Sequence, residues 1–154
     1  MNRTIQTRRL VLTPLSADEL RSVGLAPGWP DDDVRPAFEA FAERLEASPE
    51  DVGWSPWALR THDGTFIGDA GFKSSPDEEQ ATELGYFICV PHRRRGYAAE
   101  AVAALVSWSF ANGARIVRAE IHASNAGSIG VMRRCGFTLD SSDGEMLWFS
   151  RTRR

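Results

Sequence analysis

Apolar and polar residues alternate from Arg8 to Leu15. Leu10 and Leu12 fall on one face and Arg9, Val11 and Thr13 on the other, so this stretch reads as a first β-strand, stopped by Pro14. Ser16-Ala17-Asp18-Glu19 then offers an N-cap with acidic residues in the first turn, which starts a short helix running to about Val23. Gly24 to Asp33, with glycine, two prolines and three aspartates, is a loop. From Val34 to Ala47 the period lengthens: Val34, Phe38, Phe41, Ala42 and Leu45 recur at helical spacing, with Glu39, Glu43 and Glu46 on the exposed face.

Trp54 to Thr61 and Thr65 to Ser74 form an expected antiparallel pair, with Asp63-Gly64 as the hairpin signal. Gly68 and Gly71 interrupt the second of these strands and point to a bulge or a bend toward a site. Ala81 to Val90 follows an acidic turn and is long enough for a central strand. A helix from Gly96 to Asn112 ends at Asn112-Gly113. Ile116 to Ala123 is a strand with Val117, Ala119 and Ile121 on one face, and Asn125 to Cys135 a short helix ended by Gly136. Phe137 to Leu139 and Glu145 to Ser150 supply the last two strands, leaving Arg151 to Arg154 as a frayed tail. Strands and helices in this order imply an α/β domain with a mostly antiparallel sheet and one parallel pair around the helix that begins at Gly96.

The chain of 154 residues fits a single domain, 1–154, able to bury one core. No apolar run approaches the roughly 20 residues of a membrane helix, and the N-terminus lacks the apolar region of a secretory signal, so a cytoplasmic protein without membrane contact is expected. A net charge of −3 argues against nucleic-acid binding, which calls for a basic domain. Cys89 and Cys135 lie far apart and form no metal-ligand pattern with His62, His92 and His122, so two buried reduced thiols and no metal are expected.

Basic charge is instead local, at Arg93, Arg94 and Arg95, between the central strand and the helix of Gly96. The first turn of a helix presents amide N–H groups without intrahelical partners, and its dipole favours an anion there. Gly96 lets the backbone approach an anion closely, small Ala98 leaves room for the next turn, and the guanidinium groups match phosphate oxygens.

Arg93-Arg94-Arg95-Gly96-Tyr97-Ala98 resembles the R/Q-x-x-G-x-G/A signature of the GNAT superfamily of N-acetyltransferases, whose loop holds the pyrophosphate of acetyl coenzyme A. Asn125-Ala126-Gly127-Ser128, followed by Arg134-Cys135-Gly136-Phe137, is similar to the N-x-x-S and G-F segments of the same superfamily. Thr7-Arg8-Arg9-Leu10-Val11-Leu12 and Glu83-Leu84-Gly85-Tyr86 resemble its RimJ/RimL-type branch. The resemblance implies a mixed, mostly antiparallel sheet of about six to seven strands with about four helices. It also implies acetyl-CoA as co-substrate and a primary amine as acceptor, either a protein N-terminus or a small molecule.

The resemblance further implies that the strands of Ile88 and Ile121 splay, which frees the backbone of Ile88 and Val90 to pair with the pantetheine arm as an added strand would. Arg93 to Arg95, Gly96, Tyr97 and Ala98 would hold the pyrophosphate, and Asn125 would orient the pantetheine. Glu83 is the candidate base, alongside the plain reading of an exposed strand carboxylate; burial in a cleft would raise its pKa toward the working pH. Many superfamily members carry a tyrosine acid where this chain has Met132, which donates no proton. Ser128 is the candidate substitute, and a helix N-terminal hydroxyl bonded to a backbone amide is its alternative role. Trp29 and Asp31 to Asp33 border the acceptor cleft that the resemblance implies, where they suit a cation, although a solvated acidic loop is the more frequent reading of such residues. Trp54 and Trp57 read as core.

No P-loop, dinucleotide or serine-hydrolase pattern survives inspection: the glycine motifs are absent, and all three histidines precede Ser128. The remaining alternative is a non-catalytic acyl-CoA-binding module of the same fold, for which Met132 speaks. A monomer or a homodimer is expected, the latter through an exposed last strand, Met146 to Ser150.

Overall fold

The computed structural model describes residues 3–22 and 25–154. Among the described residues, eight strands form one sheet: β1 (Ile5–Gln6), β2 (Leu10–Pro14), β3 (Pro56–Thr61), β4 (Phe66–Phe72), β5 (Ala81–Ile88), β6 (Ile116–His122), β7 (Thr138–Ser142) and β8 (Met146–Thr152), in the order β1-β2-β3-β4-β5-β6-β8-β7. All neighbours are antiparallel except β5 and β6. Four helices cover the two faces: α1 (Ala17–Arg21), α2 (Arg35–Ala47), α3 (Tyr97–Ala111) and α4 (Ala126–Arg134).

Local chemistry sets the helix starts. Ser16 and Glu19 form a reciprocal capping box on α1, and Asn125 caps α4 through the Ser128 amide. The expected end of α1 near Val23 lies outside the described residues; the helix itself closes at Arg21. In the hairpin of β3 and β4, Leu59 pairs with Gly68 and Arg60 with Phe66, which leaves Ile67 as the extra residue of a bulge. A Cβ on Gly68 would lie 2.1 Å from the Phe87 carbonyl oxygen, so glycine is required for β4 to approach β5.

Two cores result. Between the sheet and α3 and α4 lie Leu12, Trp57, Ile67, Leu84, Leu105 and Met132, all buried. Against α1 and α2, the other face buries Leu15, Leu20, Trp29, Phe38 and Phe66. Each such side chain contributes roughly 1.5–3 kcal/mol relative to exposure. Trp54 and Trp57 belong to the first core as expected, and both cysteines are free and buried.

Three expectations need correction. The sheet has eight strands, because Ile5–Gln6 adds a short edge pair that two residues cannot announce by periodicity. The last strand is internal: β8 lies between β6 and β7, so the exposed edge is β7 and Met146 to Ser150 has no free side for a dimer partner. The C-terminus is not frayed at Arg151, which pairs with Val117 and donates from Nη1 to the Cys135 carbonyl at 2.9 Å.

Candidate active site

The parallel pairing of β5 and β6 lasts three residues, Ala81 with Ile116, Thr82 with Val117 and Glu83 with Arg118. Beyond Glu83 the strands part, β5 staying with β4 and β6 with β8. The Lys73 amide donates to the Glu83 carbonyl and the Cys89 amide to the Ile67 carbonyl, so odd-numbered residues of β5 present their backbone groups to β4. By alternation, those of Tyr86 and Ile88, beyond the last pairing with β6, face the gap, where no strand meets them. A cleft of ≈ 680 Å³ opens there, bounded by β5, the start of α3 and the start of α4.

Gly96 occupies the N-cap of α3 in the left-handed region, φ 82°, and no side chain caps the helix. Arg94 is also left-handed, φ 64°, which turns the chain sharply into the helix. The uncapped start of α3 borders the cleft, with Arg93, Arg94, Gly96, Tyr97 and Ala98 in its wall, an arrangement whose chemistry suits an anion. Arg95 is outside that wall; its carbonyl accepts from Arg9 Nη1 at 2.7 Å. Val90 lies past the strand in a 3-10 turn (Val90–His92), 69% exposed, and its carbonyl accepts from the Arg93 amide. Ile88 also spends its carbonyl, on Arg93 Nε at 2.7 Å. Of the two backbone pairings expected for a pantetheine arm, that of Val90 falls outside the cleft wall, because Pro91 ends the extended conformation.

Arg9 buttresses this loop from the far end of the chain. Its Nε meets Glu100 Oε1 at 2.7 Å, its amide donates to Glu100 Oε2, and its guanidinium stacks 4.5 Å over the Tyr97 ring. Burial pushes Glu100 up, but hydrogen bonds from Thr7 and Arg9 outweigh it and hold the carboxyl below its ordinary value.

Across the cleft, Ser128 sits in the first turn of α4. Its amide donates to Asn125 Oδ1, so Asn125 is a helix cap whose Nδ2 remains for another partner. The Ser128 hydroxyl accepts from the Tyr86 hydroxyl at 2.6 Å. Burial pushes the Tyr86 phenol above its ordinary value, with the Ser128 bond opposing, so the pair is uncharged at neutral pH. Met132, in contrast, is fully buried in the core and reaches no part of the cleft wall.

Glu83 stands on the opposite face of β5, at the apex of the splay, with 35% of its side chain exposed and Oε2 ion-paired to Lys73. The carboxylate that burial does push up is Asp69 on β4, to about 7, held by a 2.7 Å hydrogen bond from Trp29 Nε1. Trp29 is 2% exposed, whereas Asp31 and Asp32 serve the loop, accepting from the Asp33 amide and from Arg35. Tyr86, Asp69, Arg9 and Arg134, which also lines the cleft, are the residues sequence reasoning did not select. A carboxylate inside a strand otherwise of apolar residues and glycine, Phe66–Phe72, was the available sign for Asp69. Among the described residues no cluster could hold a metal ion and no helix is long and apolar enough to cross a membrane.

Comparison with known proteins agrees with this geometry. Residues 9–138 match the model of the acetyltransferase (GNAT) domain. The chain is 29% identical over 119 residues to an uncharacterized N-acetyltransferase, YjdG, of Bacillus subtilis (strain 168), covering 76% of this chain and 71% of that one. Its fold matches an acetyltransferase from Agrobacterium tumefaciens str. C58 (TM-score 0.71, 26% identity, 99% and 96% of the chains covered). It also matches RimL, a ribosomal L7/L12 α-N-protein acetyltransferase solved with coenzyme A (TM-score 0.74, 15% identity, 97% and 98% covered). A splayed parallel pair, an uncapped glycine-started helix and these matches together make the chain a member of the GNAT acetyltransferase family.

Proposed function

We propose that the protein transfers an acetyl group from acetyl-CoA to a primary amine in a ternary complex, with the cleft between β5 and β6 as the coenzyme site. The observation that carries this reading is the junction at Gly96: an uncapped helix N-terminus beside Arg93 and Arg94 at the mouth of a gap whose strand edge is free. The diphosphate would lie on the amides from Gly96 to Ala98, and the pantetheine would run along the backbone of Tyr86 and the amide of Ile88, whose carbonyl is held by Arg93. Asn125 Nδ2 is oriented to meet it, because Oδ1 is fixed by the Ser128 amide.

Amide formation removes two protons from an ammonium nitrogen. One passes to Glu83, directly or through a water, and on to solvent. The neutral nitrogen then forms the C–N bond as the C–S bond breaks, and the Ser128 hydroxyl supplies a proton to the leaving sulfur. Tyr86, donating to Ser128, lets that hydroxyl point its own hydrogen into the cleft, and the second proton of the nitrogen restores the pair. This dyad answers the case for a non-catalytic module, which rests on Met132. The test is thiol release from acetyl-CoA with a panel of amines and peptides, beside calorimetric binding of acetyl-CoA. Turnover on any acceptor supports an enzyme; tight coenzyme binding without turnover on all of them supports the module.

A further inference from the structure

A second cavity, of ≈ 210 Å³, lies on the other face of the sheet, under α2. One helical stripe, Val34, Ala37, Phe38 and Phe41, forms its roof, and Gly71, Gly85 and Asp69 its floor. The lining is mostly apolar, with Asp31 and Lys73 at the rim, and Asp69 is 8% exposed within it. Trp29 Nε1 donates to Asp69 Oδ2, and Oδ1 has no protein partner among the described residues. A buried carboxylate held by one neutral donor is unfavourable in its charged form, so it takes up a proton or is joined by a cation.

Gly85 has a different peculiarity. A Cβ there would meet nothing within 4 Å, and its φ is not left-handed, so neither packing nor backbone strain calls for glycine. Its bare position lies beside Tyr86 and Phe87, which line both this cavity and the coenzyme cleft. Gly85 thus puts no side chain in the way of a passage over β5 from one to the other. In the ladder, Gly71 pairs with Gly85 and Asp69 with Phe87, so Asp69 lies two residues, about 7 Å, along the strands from that passage.

We infer that this cavity is the acceptor site and that it selects an amine carrying a second cationic group about 7 Å from the reacting nitrogen, joined by a short apolar stem. The second cation meets Asp69 and the indole of Trp29, the stem lies under the α2 stripe, and the reacting amine reaches the thioester over Gly85. Short diamines and peptides beginning with lysine share this chemistry. The inference rests on the coenzyme assignment made above. Burial pushes Asp69 up to about 7, so a bound cation draws it into its charged form near neutrality. The other titratable residues at the cavity, among the described residues, are Asp31 and Lys73 at its rim, Tyr86, whose phenol bonds Ser128, and, behind Asp69, the Cys89 thiol, which burial first and Asp69 second push up.

The experiment compares α,ω-diamines of three to eight carbons with monoamines of equal length, and peptides starting with Lys or with Ala, by kcat/KM and by calorimetric binding to the protein saturated with coenzyme A. The four- and five-carbon diamines should exceed their monoamines by about tenfold or more in both readouts, as one buried charge-assisted bond provides. Asp69→Asn should bring that ratio to about one, and Gly85→Leu should abolish acceptor binding; both should keep acetyl-CoA affinity. Preference for Lys-peptides over diamines identifies the source as a protein N-terminus, and the reverse a small molecule. Diamines that bind through Asp69 without turnover would leave the site standing and sink the enzyme reading. Turnover with equal rates for diamine and monoamine, or a ratio unmoved by Asp69→Asn, would overturn the site while leaving the enzyme.

Discussion

The Tyr86 hydroxyl donates to Ser128 Oγ at 2.6 Å, joining the splayed strand β5 to the first turn of α4 across the cleft. Residues 42 positions apart thereby form one polar unit in a wall that is otherwise half apolar. If the unit supplies the proton for the leaving thiolate, its two members act in series. Ser128→Ala should lower kcat by about 100-fold and Tyr86→Phe by about tenfold, within the range for general acids. The double variant should be no worse than Ser128→Ala alone, because members of one unit are non-additive. Steady-state kinetics with acetyl-CoA affinity measured in parallel decides this; additive losses would separate the two residues.

Glu83 is set apart from that unit by the sheet itself, and its ion pair with Lys73 fixes it at the apex of the splay. Glu83→Gln should reduce kcat by about 100-fold with acetyl-CoA affinity nearly kept, the signature of a lost base and not of lost binding. An unchanged rate at every pH from 6 to 9 would remove Glu83 from the chemistry.

The left-handed Gly96 should tolerate a side chain poorly. A Cβ there would sit 3.2 Å from Arg9 Nη2, and the conformation itself costs a non-glycine residue about 1–2 kcal/mol. Gly96→Ala should therefore lower Tm and weaken acetyl-CoA binding by about tenfold. Arg9→Ala, which releases Glu100 and the Arg95 carbonyl, should weaken binding too although it lies outside the cleft wall. Thermal unfolding and calorimetry of both variants check the two effects separately.

Asp69 should make the fold less stable as pH rises. Its folded-state pKa, about 7, lies above the ordinary value of 3.8, so the folded protein binds the proton more tightly than the unfolded chain does. That stability is present in full below about pH 4 and is lost progressively up to pH 7, a difference on the order of a few kcal/mol. Asn at this position keeps an oxygen for Trp29 Nε1 and carries no charge. Asp69→Asn should thus raise Tm by about 5–10 °C at pH 8 and leave it unchanged near pH 4. Parallel melting curves of the two proteins across that range test it.

The sequence made the local elements plain and left the long-range ones obscure. The N-cap at Ser16 and the turn at Gly96 are each encoded within a few residues, and each stands where those residues place it, whereas the cap that Asn125 provides emerges only from the structure. Alternation along β5 likewise put Glu83 on the face opposite Tyr86. What the sequence leaves open is which strand neighbours which: β8 inside the sheet and β7 at its edge follow from tertiary pairing, and the strand expected at Phe137 to Leu139 runs on to Ser142 over residues without apolar alternation. Asp69 looked like one polar position in a strand, because nothing nearby in sequence shows that α2 and Trp29 close over it. Val90 was read as strand because it is apolar, whereas Pro91 turns the chain there.

The central claim is that the gap between β5 and β6 holds the coenzyme with its diphosphate on the start of α3. A crystal structure of the protein with coenzyme A tests it most directly. The account predicts diphosphate oxygens within hydrogen-bonding distance of the Gly96 to Ala98 amides, with the pantetheine beside Tyr86 and its sulfur near Ser128. A diphosphate bound elsewhere, or a pantetheine that does not enter between the two strands, would contradict it.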